Sequence, residues 1–135
     1  MIHPTAIIGE SVKLESGVEV GPYSFIDGHV TIGKNTKIHA SVSIVGNTTI
    51  GENNIIFSFC SIGSIPQDLK YCGEETYLKI GDSNTFREHC TVNTGTEGGG
   101  FNTIIGNGSL FMTGAHIAHD CIVGNKVIMA NQATL

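Results

Sequence analysis

The sequence has no tryptophan, only three prolines, and charged residues amount to 14% of the chain. Cations are the scarcest class that matters for partners: seven Lys and Arg face twelve Asp and Glu, a net charge of −5. A chain so poor in cations is not built for sequence-independent nucleic-acid binding, which works by displacing condensed counterions. No apolar run approaches the roughly 20 residues of a membrane-spanning helix, so an integral membrane protein is not expected. The opening Met1-Ile2-His3-Pro4-Thr5 has neither a basic segment nor a following leucine-rich one, so a secretory signal is not expected and a cytoplasmic location is. Cys60, Cys72, Cys90 and Cys121 form no C-x-x-C pair and no zinc-ribbon spacing, and they read as reduced thiols.

What the chain does have is glycine, 18 in 135 residues, spread evenly rather than clustered. Glycine placed this way weakens helices and marks frequent turns. A length of 135 residues makes one domain the default. Every sixth residue from position 2 is aliphatic without a break: Ile2, Ile8, Leu14, Val20, Ile26, Ile32, Ile38, Ile44, Ile50, Ile56 and Ile62. The frame returns at Ile80, Phe86 and Val92, slips by one, and resumes at Ile105, Phe111, Ile117, Val123, Met129 and Leu135.

Two residues before the aliphatic the side chain is mostly small or β-branched, as at Ser24, Val30, Thr36, Val42, Thr48, Thr103 and Ser109. Positions i−2 and i share one face of a strand. Each hexapeptide is therefore a short strand with two inward residues and a corner, where Gly, Asn or Asp tolerates positive φ. The period does not fit a helix. It fits a β-solenoid, in which each coil buries its apolar face only against its neighbours. Cys60, Cys90 and Cys121 fall in the small inward slot and are read as space-fillers.

The frame lapses twice, over about 63–79 and 93–104, and both lapses read as outward loops of a single domain spanning 1–135. The first contains Ile65-Pro66-Gln67-Asp68-Leu69-Lys70-Tyr71, the second Gly98-Gly99-Gly100. The triple glycine is a weak phosphate-cradle signal, because no helix that would supply aligned N–H groups is expected after it. Chemistry concentrates at Ala115-His116-Ile117-Ala118-His119-Asp120-Cys121. With Ile117 inward, His116 and His119 point outward, and an outward His beside an Asp is a candidate general base near neutral pH. A solvated pair of histidines on a coil face fits the same spacing. A zinc site is a third reading, though the histidines lack the spacing of the hexapeptide-repeat zinc enzymes.

Taken in order, the Ile2-His3-Pro4-Thr5-Ala6 opening, the P-Q-D-L-K-Y loop, the glycine loop and the H-I-A-H-D-C string closely resemble one family. It is the acyl-[acyl-carrier-protein]–UDP-N-acetylglucosamine O-acyltransferases, the hexapeptide-repeat acyltransferases that begin lipid A biosynthesis. The resemblance implies an all-β fold, the left-handed parallel β-helix, assembled as a cytosolic homotrimer. It implies transfer of a (3-hydroxy)acyl chain from acyl-carrier protein to the 3-position of UDP-N-acetylglucosamine, with no cofactor and no metal.

On the matching positions His119 is the general base and Asp120 its paired carboxylate. His116, Asp68 and Lys70 are substrate contacts. Asn93, also taken as a substrate contact, stands where many members carry His, which leaves open an acceptor with a 3-hydroxyl or a 3-amino group. Members continue into further coils and a C-terminal helical domain that this chain is expected to lack. A CoA-dependent acetyltransferase and a non-catalytic solenoid scaffold are the alternatives on the same repeat.

Overall fold

The computed structural model describes every residue from Met1 to Leu135. The chain winds through short strands that fall into three six-stranded parallel sheets, each taking every third strand in chain order. The architecture is a left-handed parallel β-helix, and the six-residue frame of the sequence is its wall length.

Register follows the aliphatic frame directly. Ile8, Ile26, Ile44, Ile62, Val92 and Ile117 stack in one sheet. Leu14, Ile32, Ile50, Ile80, Ile105 and Val123 stack in the second. Val20, Ile38, Ile56, Phe86, Phe111 and Met129 stack in the third. These columns form the bulk of one continuous core, with Phe86 and Phe111 stacked ring on ring at 4.8 Å. Ile2 and Leu135 belong to the frame and are exposed.

The i−2 positions add an interior polar column to the third sheet. Asn54 and Asn84 are fully buried and fully paired: Asn54 Nδ2 donates to the Gly81 carbonyl and Asn84 Nδ2 to that of Gly106. Their Oδ1 atoms accept from the backbone N–H groups of Asn84 and Ser109. A polar interior survives only when its members are satisfied, and here each amide ties one coil to the next. Cys60 and Cys90 are buried and Cys121 is half-buried, all three as free thiols. The neighbouring Cys90 first and burial second push the Cys60 thiol far up, out of reach of thiolate chemistry.

The corners depart from expectation. Left-handed backbone occurs at Asn35 and Asn53, but also at Tyr23, Phe59 and His89. These bulky side chains are exposed, and the Phe59 and His89 rings stack 5.2 Å apart.

Two coils are longer than the rest. Between Ser61–Ser64 and Tyr77–Ile80 the chain makes an excursion over 65–76, and between Thr91–Asn93 and Asn102–Ile105 another over 94–101. The strands flanking each excursion remain in the stack, so both loops are anchored at two ends by the helix wall. No helix of the structure is long and apolar enough to cross a membrane.

Candidate functional site

The glycine-rich excursion closes on itself as a single 3-10 turn, Glu97–Gly99, capped by Thr96 and ended by Gly100 in the left-handed region at φ 94°. The turn includes the first two glycines of the run and no helix follows it, and the N–H groups of Thr96, Glu97 and Gly99 already have partners within the protein. Thr96 N–H donates to Asp120 Oδ1 at 2.6 Å, Glu97 N–H to Glu74 Oε2 at 3.3 Å, and Gly99 N–H to Thr96 Oγ1 at 3.2 Å. The loop cradles carboxylates of its own chain.

Asp120 sits at a corner with φ 65°, a conformation that aspartate enters more readily than most residues. Its N–H donates to Thr103 Oγ1 at 2.9 Å, and its Oδ2 lies 2.7 Å from His119 Nδ1. Burial pushes the Asp120 carboxyl up, but bonds from the Thr96 hydroxyl and N–H and from His119 outweigh it, and the net shift is downward. An ionised carboxylate only accepts, so the proton of this contact resides on Nδ1 and the lone pair of a neutral His119 is left on Nε2. The His119 side chain is 31% exposed, open enough to meet a substrate.

Asp68, Lys70 and Asp120 come together in one cleft of about 400 Å³, with Glu74, Thr96 and Glu97 in its wall and no apolar lining residue. Asp68 shapes its own turn by accepting from the Lys70 N–H at 2.9 Å. Glu74 accepts from the Cys72 N–H at 2.7 Å, the leading cause of its lowered pKa, and through Glu97 it fastens the two excursions together. The Thr76 hydroxyl adds a second fastening, to Thr94 Oγ1 at 2.8 Å. Lys70 is the one cation among four carboxylates in this lining.

His116, His119 and Asn93 lie outside the cleft lining, and His119 meets the cleft through its contact with Asp120. His116 faces its cross-strand neighbour Thr91, with Nδ1 2.6 Å from Thr91 Oγ1. Asn93 ends its strand beside a register irregularity, is only 5% exposed, and donates from Nδ2 to the Ser64 carbonyl at 3.4 Å. Its Oδ1 is buried without a partner.

A larger groove of about 770 Å³ runs past His3, Lys37, His39 and Phe57 and contains none of the candidate residues. No histidine of its lining is bonded to a carboxylate, whereas Asp120 of the smaller polar cleft is bonded to His119 at the edge of that lining, which makes the smaller cleft the better chemical site. No group of three or more His, Cys, Asp or Glu side chains is placed to hold a metal ion. The residues that sequence reasoning missed are Thr96, Glu74 and Thr103. A threonine just ahead of Glu-Gly-Gly was a capping signal, but its bond to Asp120 spans 24 residues.

The fold and its six-residue frame define a hexapeptide-repeat protein of the left-handed β-helix class, and a profile described as "Bacterial transferase hexapeptide (six repeats)" matches residues 102–135. Within that class, the chain is similar over almost its whole length to the acyl-[acyl-carrier-protein]–UDP-N-acetylglucosamine O-acyltransferases. It is 48% identical to the curated enzyme of that name from Thermodesulfovibrio yellowstonii, over 99% of this chain and 52% of that protein. It is 50% identical to the one from Psychrobacter, over 91% of this chain and 48% of that protein. Among solved structures, LpxA from Acinetobacter baumannii superposes with a TM-score of 0.98 at 51% identity, covering 98% of this chain and 52% of that one. The Bacteroides fragilis UDP-N-acetylglucosamine acyltransferase gives 0.98 at 44% identity, covering 100% and 52%. The chain spans about half the length of the curated relatives it matches.

Proposed function

We propose that this chain is the β-helical part of an acyltransferase that moves a (3-hydroxy)acyl group from acyl-carrier protein to the 3-position of UDP-N-acetylglucosamine, the first step of lipid A biosynthesis. The observation that carries the reading is the His119–Asp120 contact at 2.7 Å, with the same carboxylate lining a cleft beside Asp68 and Lys70. The names of the relatives supply the substrates.

In this mechanism His119 Nε2 takes the proton of the acceptor's 3-hydroxyl while that oxygen attacks the thioester carbonyl carbon. A C–O bond forms, the C–S bond breaks, and the proton on Nε2 passes to the departing thiolate. Asp120 holds the imidazole in its useful tautomer and offsets the charge of the imidazolium as it forms. Lys70 offers the cleft's cation to a phosphate or to the thioester oxygen, and Asp68 and His116 accept sugar hydroxyls. Asn93 remains a candidate substrate contact, with an unpaired Oδ1 that a sugar donor could satisfy only after a local shift exposes it. Assembly as a homotrimer in the cytoplasm belongs to the same reading.

The test is incubation with hydroxyacyl-carrier protein and UDP-N-acetylglucosamine, with the product identified by mass spectrometry. An O-acylated sugar nucleotide that disappears with His119→Ala supports the reading. Transfer from acetyl-CoA but not from acyl-carrier protein would replace it with an acetyltransferase.

A further inference from the structure

Asp120 is gripped by a residue that belongs neither to the inward frame nor to the His-Asp string. Thr96 donates twice to the one carboxylate, its N–H to Oδ1 at 2.6 Å and its hydroxyl to Oδ2 at 2.5 Å. The hydroxyl is itself aimed, because its oxygen accepts the Gly99 N–H and so turns its proton toward Asp120. Thr96 is only 6% exposed, so water does not compete for these bonds. With both carboxylate oxygens fixed, the Asp120 side chain cannot swing, and Oδ2 stays directed at His119 Nδ1. That contact selects the Nδ1–H tautomer, the reverse of the preference of a neutral imidazole in water.

We propose that Thr96 is the positioning residue of the base: it locks Asp120 in the rotamer that holds the Nδ1–H tautomer of His119 and leaves Nε2 free to take a proton. The inference rests on the acyl-transfer reading for its consequence, but not for its geometry. Thr96 acts through Asp120 and is not one of the proposed substrate contacts, while its hydroxyl also caps the Glu97–Gly99 turn in the cleft wall. It therefore bears on turnover and not on substrate capture.

The experiment compares the full chain with its Thr96→Val and Thr96→Ser variants, using ¹⁵N-labelled histidine to read the His119 tautomer and steady-state kinetics to separate kcat from KM. In the parent chain the Nδ1–H tautomer should dominate above the imidazole titration. Thr96→Val should shift the population toward Nε2–H and lower kcat roughly tenfold, the scale of one lost bond to a charged group, with KM nearly unchanged. Thr96→Ser, which keeps the hydroxyl, should behave like the parent. Melting of each variant is recorded, and if Thr96→Val does not fold, Thr96→Ala removes the same hydroxyl with less steric demand. A tautomer and kcat unchanged in the hydroxyl-free variant would overturn the inference while leaving the acyltransferase reading intact. A tautomer shift in a chain that transfers no acyl group would have the opposite meaning: Thr96 holds the imidazole, and the reading of the reaction fails.

Discussion

Gly99 rests its bare α-carbon against the Asp120 carboxyl group, in space that a β-carbon at position 99 would take from it. Its neighbours Gly98 and Gly100 have nothing near the corresponding positions, so the glycine run is tight at one residue only. Gly99→Ala is expected to force the carboxylate away from Thr96, at about 1–3 kcal/mol for an overpacked contact. Gly98→Ala is expected to leave the Asp120 bonds intact. Thermal melting together with the His119 ¹⁵N shifts checks both, and equal responses from the two variants would mean the packing is misread.

His119→Ala should remove transfer activity while leaving the solenoid unchanged. The side chain is partly exposed, and its one hydrogen bond goes to Asp120, which Thr96 and Thr103 still hold. Loss of a general base costs about 10²- to 10⁴-fold in rate. Turnover and far-UV circular dichroism measured side by side decide the matter. Near-parent turnover would remove His119 from the mechanism.

Much of this was legible in the sequence for a physical reason. A residue that repeats every six positions must face the same neighbour in every coil, so Ile44, Ile50 and Phe86 could be placed in the core without coordinates. The His119–Asp120 pair was visible because the two are adjacent in the chain. Thr96 was not, because its partner is brought to it by the stacking of Asn102–Ile105 on Ile122–Val123, and no local pattern encodes that proximity. Asn93 carried no sign of burial either: its position in the chain gives no hint that the strand turns irregular beside Ser64.

Asp120 also predicts an acid limb in stability. Its pKa is lowered in the folded protein, so its contribution is fully present above the ordinary aspartate value and is lost as pH falls through the lowered folded value. Asp120→Asn has no charge to titrate there. The difference in melting temperature between parent and variant should be constant near neutrality and shrink on acidification below the ordinary carboxylate range. A difference that is flat down to strongly acid pH would show that Asp120 is not a stabilised carboxylate.

The six-residue frame is tested most severely at Ile44. It is fully buried in the middle of its sheet, with Ile26 stacked on one side and Ile62 on the other. No cation lies within this column to pair with a new charge, since its members at the inward position are all aliphatic. Ile44→Asp therefore buries an uncompensated carboxylate or takes up a proton to avoid doing so, at a cost on the order of several kcal/mol. Typical domains have only about 5–15 kcal/mol to lose, so the variant should be unfolded or melt far below the parent. Because a solenoid coil is supported only by its neighbours, the damage should spread to the coils on either side rather than stay local. Hydrogen exchange reads that spread directly, with protection expected to fall first at Ile26 and Ile62. Ser43→Asp, one residue away on the outward face, is the matched control and should melt like the parent. Equal melting of the two variants would mean that the alternation of inward and outward residues in this wall is assigned wrongly.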